Sequence, residues 1–345
     1  MSSARGSRAA ARAGGTSAAG AQVTPPSGPA RAGAGVLPRA RRRLGEALEG
    51  YAWLSPWLIG FVVFTLGPVL GSLYLSFTDY HLARPPQWVG LQNYVAAFTT
   101  DDQFWPSLGR TLYYTALVVP CVVLGSLALA LLLNGRLIGV SFYRTAYFLP
   151  YVTPVVAATL LWSWMLQPQL GIVNYLLKEV GITGPLWLGA RWAIPTVAII
   201  SLWTLVGGSR TVIILTALKG VPEELYEAAR IDGAGAWHSF RHVTVPMISP
   251  ALFFNLIVSL IAALKVFDIA YLLVIPGQGG IASGSAGYSL YFYVVKLFDH
   301  AFSFFEMGYA SAMAWIFLII VLFFTALQFR WASAWVYYAG AEKET

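Results

Sequence analysis

The chain has 345 residues, of which 57% are hydrophobic and only 11% are charged. Soluble domains carry about 25% charged residues, so this composition excludes an ordinary soluble protein and indicates a polytopic membrane protein. The net charge is +7, and in a membrane protein such an excess orients the chain rather than binding nucleic acid. The single cysteine, Cys121, excludes a disulfide within the chain and a thiolate metal cluster.

The N-terminal segment is poor in large apolar side chains and rich in Ala, Gly, Ser, Pro and Arg. Because it cannot bury a core, we predict that residues 1–49 form a disordered, basic cytoplasmic tail. Four arginines within 39–43 precede the first apolar run and are expected to contact anionic membrane lipid. The run itself has the length of a span and no small-residue cleavage site, which favours a membrane span over a secretion signal.

Six apolar runs are long enough to cross the hydrocarbon core of a bilayer. They lie at about 57–77, 112–133, 146–166, 193–217, 251–275 and 308–327. The predicted fold is therefore all-α, with six transmembrane helices in a domain at 50–331 and a short cytoplasmic tail at 332–345. Pro150 and Pro154 predict a kink in the third span. The apolar run 288–298 is too short to span, so we predict an external interfacial helix there.

The distribution of basic residues predicts how the six spans are oriented. An even number of spans places both termini on one side of the membrane. The segments that then share that side carry sixteen of the 22 Lys and Arg residues, against five in the loops on the other side. This positive-inside bias predicts that both termini are cytoplasmic.

A polar stretch at 218–250 separates the fourth and fifth spans and must lie in water or against another protein. Pro222 followed by glutamates predicts a helix start, because carboxylates suit the positive end of the helix dipole. Gly233 and Gly235 predict the end of that helix, and a second short helix is predicted over 236–242. The stretch therefore predicts a helix–Gly–helix elbow at the cytoplasmic face of the membrane.

The elbow resembles the EAA loop of ABC importer permeases. Glu227-Ala-Ala is followed by three residues, Gly233, nine residues and Val-Thr-Val-Pro246, where that family has Ile-x-Leu-Pro. The resemblance implies a coupling helix that docks into an ATPase subunit, whereas the alternative is an ordinary solvated loop. The residues implied in coupling are Leu225, Glu227, Ala228, Ala229, Ile231, Asp232 and Gly233.

The string ELYEAARIDGA resembles the carbohydrate-uptake branch of this family, which imports sugars or glycerol phosphates. It implies a permease subunit of the bacterial plasma membrane that moves a sugar or related carbohydrate inward by alternating access. The implied partners are a dimer of cytoplasmic ATPase subunits, a second permease subunit and an extracellular solute-binding protein. The Gly- and Ser-rich loop at 276–287 departs from the family, where a Thr-x-Gly-Gly-Pro segment is usual.

Motifs for bond chemistry are missing from the sequence. It contains no P-loop, no H-E-x-x-H and no G-x-S-x-G. We therefore expect neither enzymatic activity nor a cofactor, and we expect a partner chain to hydrolyse ATP. His238 and His242 are spaced i, i+4, but without a third ligand nearby a solvated pair is favoured over a metal site. We expect no metal and no nucleic-acid partner.

Two charges inside the predicted fifth span, Lys265 and Asp268, each cost about 2.5 to 3.5 kcal/mol at a span centre. Three residues apart on a helix, they would share one face and could pair. With Asn255, Phe267 and Tyr271 they predict a solute path, and the alternative is a buried pair that holds this span to a neighbour. An ion-gradient-driven secondary transporter of a small polar solute is the competing function. It requires mid-span acidic residues and an internal repeat, and only Asp268 meets the first requirement.

Overall fold

The computed structural model describes residues 39–82, 84–135, 138–274 and 288–337, with side chains from residue 49 onward. The predictions for 1–38, for the Gly-rich loop and for most of the C-terminal tail therefore lie outside the described residues. The structure is 76% helical. The described strands, β1 (Thr78–Asp79) and β2 (Gln87–Trp88), have two residues each and pair antiparallel. The predicted all-α membrane fold is confirmed.

The chain divides into two compact units after Val62. The first unit contains α1, Arg39–Phe61, a helix with Pro56 inside it. It begins within the tail predicted as disordered, so that prediction is wrong for residues 39–49. The physical reason is local, because Arg, Ala, Leu and Glu dominate this stretch and are among the strongest helix formers.

The second unit contains the remaining helices. The helices of its first half are α2 (Gly67–Ser76), α3 (Gln92–Thr99), α4 (Phe104–Asn134), α5 (Val140–Val152), α6 (Val155–Met165), α7 (Ile172–Glu179) and α8 (Ala193–Leu205). Those of its second half are α9 (Ser209–Lys219), α10 (Glu223–Ile231), α11 (Ala236–Ser239), α12 (Val245–Leu264), α13 (Asp268–Val274), α14 (Tyr293–Phe298) and α15 (Met307–Trp335). The described residues include π-helical turns at Val62–Leu66, Phe240–Thr244 and Asp299–Ser303.

Four helical segments of the described chain are long and apolar enough to cross a membrane: Glu49–Ser76, Phe104–Asn134, Ala236–Leu273 and Met307–Trp335. Two bent pairs raise the number to six when each pair counts as one span. The pair α5 and α6 bends by 95°, and the pair α8 and α9 bends by 49°. Counted in this way, the six segments coincide with the six predicted spans.

The break in the third span falls at Thr153 and Pro154. Pro154 is the N-cap residue of α6, and Thr153 before it is extended, with ψ of 130°. A proline disfavours the helical conformation of the residue that precedes it, so the chain leaves the helix at this point. The predicted kink is therefore confirmed at Pro154, whereas Pro150 lies inside α5.

The bend in the fourth span was not predicted, and it falls at Gly207 and Gly208. A Cβ atom at Gly207 would overlap the carbonyl oxygen of Tyr147, and one at Gly208 would overlap the ring of Tyr151. Both tyrosines belong to α5. Gly207 therefore lets the backbone of α5 approach the bend, and Gly208 leaves room for the Tyr151 ring, more closely than a residue with a side chain would allow.

The long helix α4 runs through all three apolar clusters of the described residues. Near its middle Val118 packs with residues of α8, α12 and α13, and toward its end Ala130 packs with α9 and α12. At its start Phe104 packs with α3, α14 and α15. Small buried residues such as Ser126 let neighbouring helices pack closely, which is how helices associate in a lipid environment.

The helix predicted as external and interfacial, α14, is enclosed by protein. Tyr293 is fully buried, its backbone N–H donates to Thr111 Oγ1 at 2.9 Å and its hydroxyl donates to the Met313 carbonyl oxygen at 2.8 Å. Its neighbour Lys296 is also buried. The predicted helix is thus confirmed, and these polar contacts and the buried lysine show that it packs into the protein; its external, interfacial position stays a prediction.

Candidate functional site

The first arm of the predicted elbow is α10. Pro222 is its N-cap residue, and Glu223 and Glu224 occupy the first turn, where carboxylates stabilise the positive end of the helix dipole. Arg230 lies in the last turn, where a cation suits the negative end. No residue of α10, all of which is described, is buried. The charges at its two ends and the capping turn that follows therefore stabilise this helix more than the burial of its side chains does.

The turn that ends α10 is a Schellman motif. Asp232 is the C-cap residue, and Gly233 follows with φ of +77°, a conformation that glycine adopts without a steric penalty. The N–H of Gly233 donates to the Arg230 carbonyl oxygen at 3.1 Å, and that of Ala234 donates to the Ala229 carbonyl oxygen at 2.9 Å. The predicted end of the helix at a glycine is confirmed, and position 233 is the one whose positive φ favours glycine.

The second arm begins with α11 and continues through the π-helical turn Phe240–Thr244 directly into α12. The short helix predicted at 236–242 is thus present, but its second half has π geometry. The hydroxyls of Tyr226 on α10 and Thr244 at the end of the π turn lie 3.0 Å apart and share a hydrogen bond. Among the described side chains, this is the hydrogen bond that joins the two arms.

The seven residues implied in coupling lie on this open elbow, and all are exposed except the half-buried Ala229. Ile231 is 86% exposed, an unusual state for an isoleucine. Trp237 on the second arm is 71% exposed and was missed by the sequence reasoning, although a tryptophan in a polar stretch could have indicated it. The arms enclose a cavity of about 400 Å³ lined on one side by Asp232 and on the other by His238.

The two histidines of the elbow stack on each other rather than converge on a common point. The ring centroids of His238 and His242 lie 4.0 Å apart, and Nδ1 of His242 lies 3.1 Å from the His238 carbonyl oxygen. In the described part of the chain, no group of three or more His, Cys, Asp or Glu residues is placed to hold a metal ion.

A second candidate site is a cavity of about 280 Å³ where three spans lose their regular helix. Such breaks at membrane depth are tolerated where they line a cavity, because the freed backbone groups need partners. Its polar and aromatic lining comes from α4, the α5–α6 break, α8 and the α12–α13 break. These residues are Tyr114, Tyr151, Thr153, Ser201, Thr204, Lys265, Phe267 and Asp268.

Three of the five predicted path residues, Lys265, Phe267 and Asp268, line this cavity. Tyr271 stacks on Phe267 with ring centroids 4.9 Å apart, so it supports the cavity wall from behind. Asn255 is buried, does not line the cavity and donates to the Ala251 carbonyl oxygen at 2.9 Å.

The predicted pairing of Lys265 with Asp268 on one helical face is wrong. The helix α12 ends at Leu264, the chain is irregular through Phe267, and α13 begins at Asp268. The ion pairs of the described residues join Asp79 with His81, Asp101 with Lys296, and Glu306 with His300. Lys265 and Asp268 instead stand as separate, exposed charges at the cavity.

The sequence did not indicate the polar groups that other spans bring to this cavity. Tyr114 and Ser201 share a hydrogen bond of 2.6 Å between their hydroxyls and are both buried. Arg210 is one of the sixteen basic residues that the charge count assigned to the cytoplasmic side, but it is buried at the start of α9, where its Nε donates to Ser259 Oγ at 2.9 Å. Its position inside an apolar run was the signal that could have indicated a buried site.

A buried ion pair also joins segments outside the spans. Lys296 Nζ lies 2.6 Å from the Asp101 carboxylate, which also accepts hydrogen bonds from the Tyr309 hydroxyl and from the Gln103 backbone N–H. Burial raises the pKa of the Asp101 carboxyl. The hydrogen bonds from Lys296, Tyr309 and Gln103, together with the charge of Lys296, lower it, and the net result is a pKa below the ordinary value.

The fold and the two sites define a multi-pass membrane permease with an exposed elbow on a helix bundle. Residues 95–335 match the family described as binding-protein-dependent transport system inner membrane component, and the chain belongs to that family. It is a transport subunit of the ABC importer type, whose ATPase is a separate partner. This membership excludes the competing secondary transporter.

Two relatives and one solved structure illustrate the similarity. The probable ABC transporter permease protein YesP of Bacillus subtilis is 39% identical over 317 residues, 90% of this chain and 99% of that protein. The diacetylchitobiose uptake system permease protein NgcF of Streptomyces coelicolor is 34% identical over 87% of each chain. A bacterial alginate ABC transporter chain shares the fold, with a TM-score of 0.73 and 22% identity over 86% of this chain and 97% of that one.

Proposed function

We propose that this chain is the permease of a carbohydrate importer that works beside a second permease subunit and above a dimer of cytoplasmic ATPase subunits. An extracellular solute-binding protein delivers the solute, and both termini lie in the cytoplasm of a bacterial cell. The chain moves a sugar or related carbohydrate inward by alternating access. The name of the relative NgcF, a diacetylchitobiose uptake permease, supports the carbohydrate class.

The observation that carries this proposal is the exposed elbow. Ile231 and Trp237 present apolar side chains to solvent on opposite arms, while Glu227 and Asp232 add negative charge. Exposed apolar groups rimmed by charge are typical of a surface that docks onto a partner protein. Because the second arm runs without interruption into α12, a displacement of the elbow by an ATPase would be transmitted to a membrane span.

The cavity at the span breaks supports a polar solute. Its hydroxyl groups, for example on Tyr151 and Thr204, can donate and accept hydrogen bonds as a sugar requires. Phe267, held in place by Tyr271, offers an aromatic face against which a sugar ring can pack. At about 280 Å³ the cavity is close to the lower end of the range typical of small-molecule pockets, about 300 to 1,000 Å³.

Uptake measured in vesicles that contain the complete importer tests the proposal. Glu227→Lys and Gly233→Trp are expected to leave membrane insertion intact but to abolish ATP-driven uptake, because one reverses a charge of the elbow and the other prevents its turn. Glu179→Lys is the matched control, since it reverses an exposed carboxylate at the end of α7. Normal uptake by both elbow variants with the ATPase still bound would contradict a coupling role.

The solute path is tested separately with Asp268→Asn, which removes one charge from the cavity at nearly constant shape. If the cavity lines the path, this variant assembles normally but shows altered uptake or an altered solute preference. If the complex instead falls apart on purification, Asp268 holds two elements together and the path assignment is wrong.

A further inference from the structure

Arg210 is a buried cation in a membrane span, and no acidic side chain among the described residues forms an ion pair with it. It is 6% exposed and lies directly after the Gly207–Gly208 bend. Its one hydrogen bond within the described part of the chain goes to a neutral group, Ser259 Oγ. An arginine at the centre of a span costs about 2.5 to 3.5 kcal/mol, and such residues generally pair with an opposite charge or mark a solute path.

The surroundings of Arg210 place it just behind the cavity at the span breaks. Ser259, its hydrogen-bond partner, lies three and four residues before Ala262 and Ala263, which line the cavity from the same side of α12. Another lining residue, Tyr151, packs its ring against Gly208, two residues before Arg210. Arg210 is therefore part of the cavity's electrostatic environment.

The formal charges around this cavity do not cancel. Lys265 at its edge and Arg210 behind its wall are cationic, and Asp268 is the one carboxylate that lines it in the part of the chain that the structure describes. Because Arg210 is buried, little water screens its charge from the cavity. A solute that carries a negative charge would compensate the excess cation, whereas a neutral sugar would leave it unpaired.

We infer that the cavity takes a carbohydrate that bears an anionic group, either a carboxylate, as in a uronic acid, or a phosphate ester. Lys265 would meet the anionic group at the cavity edge, and Arg210 would stabilise it from behind the tyrosine wall. Guanidinium and ammonium groups recognise both anions through charge-assisted hydrogen bonds. The ring of the sugar would pack against Phe267. This inference rests on the proposed carbohydrate function and narrows it to a charge class.

Binding of three probes with a common ring tests the inference: glucuronate, glucose 6-phosphate and glucose. The complete membrane complex in lipid nanodiscs is used without its solute-binding protein, so that the selectivity of that protein does not enter the result. Saturation-transfer NMR suits the weak binding of small sugars. We expect glucuronate, glucose 6-phosphate or both to bind at least tenfold more tightly than glucose, and the difference to shrink as salt is added.

Substitutions of Arg210 and Lys265 test whether these two cations produce the preference for anionic probes. Arg210→Met and Lys265→Met are each expected to weaken binding of the preferred anionic probe and to leave glucose binding unchanged. For Lys265→Met the loss is roughly tenfold to hundredfold, the effect of a lost charge-assisted hydrogen bond. For Arg210→Met the loss is smaller, because this charge acts from behind the cavity wall. Lys178→Met is the control, because it removes an equal charge from the exposed surface of α7. If Arg210→Met fails to assemble, Lys265→Met, at an exposed position, decides the question.

Two outcomes overturn the inference and are distinguishable from failure of the proposed function. Anionic probes that bind no more tightly than glucose would show that the cavity does not select charge. Anion binding that is unchanged in the variants would show that these residues do not provide the selection. In either case, ATP-dependent uptake of a neutral sugar by the complete importer would leave the proposed function standing, whereas loss of all carbohydrate uptake would overturn that function itself.

Discussion

Lys296 Nζ on α14 lies 2.6 Å from the carboxylate of Asp101, a residue 195 positions earlier in the chain. The lysine side chain is 3% exposed and the aspartate side chain 15%, so the pair is shielded from water. Tyr309 at the start of α15 donates to the same carboxylate. One carboxylate thus connects the segment before α4 with two residues that lie 195 and 208 positions later in the chain.

The first prediction concerns the loss of this pair. Asp101→Ala leaves a buried ammonium group without its counter-charge, and breaking a buried ion pair in this way costs about 3 to 5 kcal/mol. We expect a clear fall in the thermal unfolding temperature of the purified protein. Asp102→Ala is the control, because Asp102 is the exposed neighbour of Asp101. A double variant, Asp101→Asn with Lys296→Met, should recover much of the loss. Equal unfolding temperatures for the two single alanine variants would contradict this account.

The second prediction is the pH dependence of the same contact. The folded-state pKa of Asp101 lies below its ordinary value of 3.8. A carboxyl with a lowered pKa contributes stability that is present above 3.8 and is lost as the pH falls through the folded-state value. The unfolding temperature should therefore fall more steeply below about pH 4 in the wild type than in Asp101→Asn. Parallel pH profiles for the two proteins would show that Asp101 does not provide this stability.

The third prediction concerns the hydrogen bond between Tyr226 and Thr244, which joins the arms of the elbow. Tyr226→Phe removes the hydroxyl alone, which should cost about 0.5 to 1.5 kcal/mol of local stability. Amide hydrogen exchange in 222–244 should then accelerate, and ATP hydrolysis by the assembled complex should become less tightly coupled to uptake. Thr244→Val should have a similar effect, and the double variant little more than either one.

Tyr175→Phe serves as the control for that pair, since Tyr175 is an exposed residue of α7. Unchanged exchange in 222–244 for both Tyr226→Phe and Thr244→Val would show that the hydrogen bond does not hold the arms together. A slowed exchange would contradict the prediction outright.

The fourth prediction tests the close approach of α5 to the bend between α8 and α9. Gly207→Ala places a methyl group where the Tyr147 carbonyl oxygen lies, so α5 must move away. We expect lower stability and reduced uptake. Gly109→Ala is the control, because nothing lies within 4 Å of its Cβ position and alanine is the better helix former. If the Gly207→Ala variant is as stable as the Gly109→Ala variant, the packing of α5 against the bend does not require a glycine at position 207.

The parts of the structure that were predicted from the sequence depend on local signals. Span lengths follow from apolar runs, and the elbow follows from Pro222, its glutamates and Gly233, because helix ends are encoded within a few residues. Pro154 likewise indicates from the sequence where the third span breaks. Each of these features could be read without knowing which spans are neighbours.

The features that were missed depend on contacts between distant segments. Nothing near Lys296 in the sequence indicates Asp101, and nothing near Gly207 indicates that α5 lies against it. The helix that was assumed to continue through Lys265 ends at Leu264, and periodicity gave no signal of this because apolar residues surround the break. The cavity is likewise assembled from residues of several spans, of which only the 265–268 segment was identified.

The last prediction is the orientation of the chain, for which the basic residues are the basis. When the buried Arg210 is left out of the count, fifteen Lys and Arg residues remain on the cytoplasmic side against five outside, so the positive-inside bias persists. Single cysteines can test it in a Cys121→Ser background. Lys178→Cys should react with a membrane-impermeant maleimide in intact cells, whereas Arg230→Cys should react only after the cells are opened. Both positions are exposed, so burial does not limit labelling. Labelling of Arg230→Cys in intact cells would place the elbow outside, where no cytoplasmic ATPase could reach it, and would overturn both the topology and the coupling role.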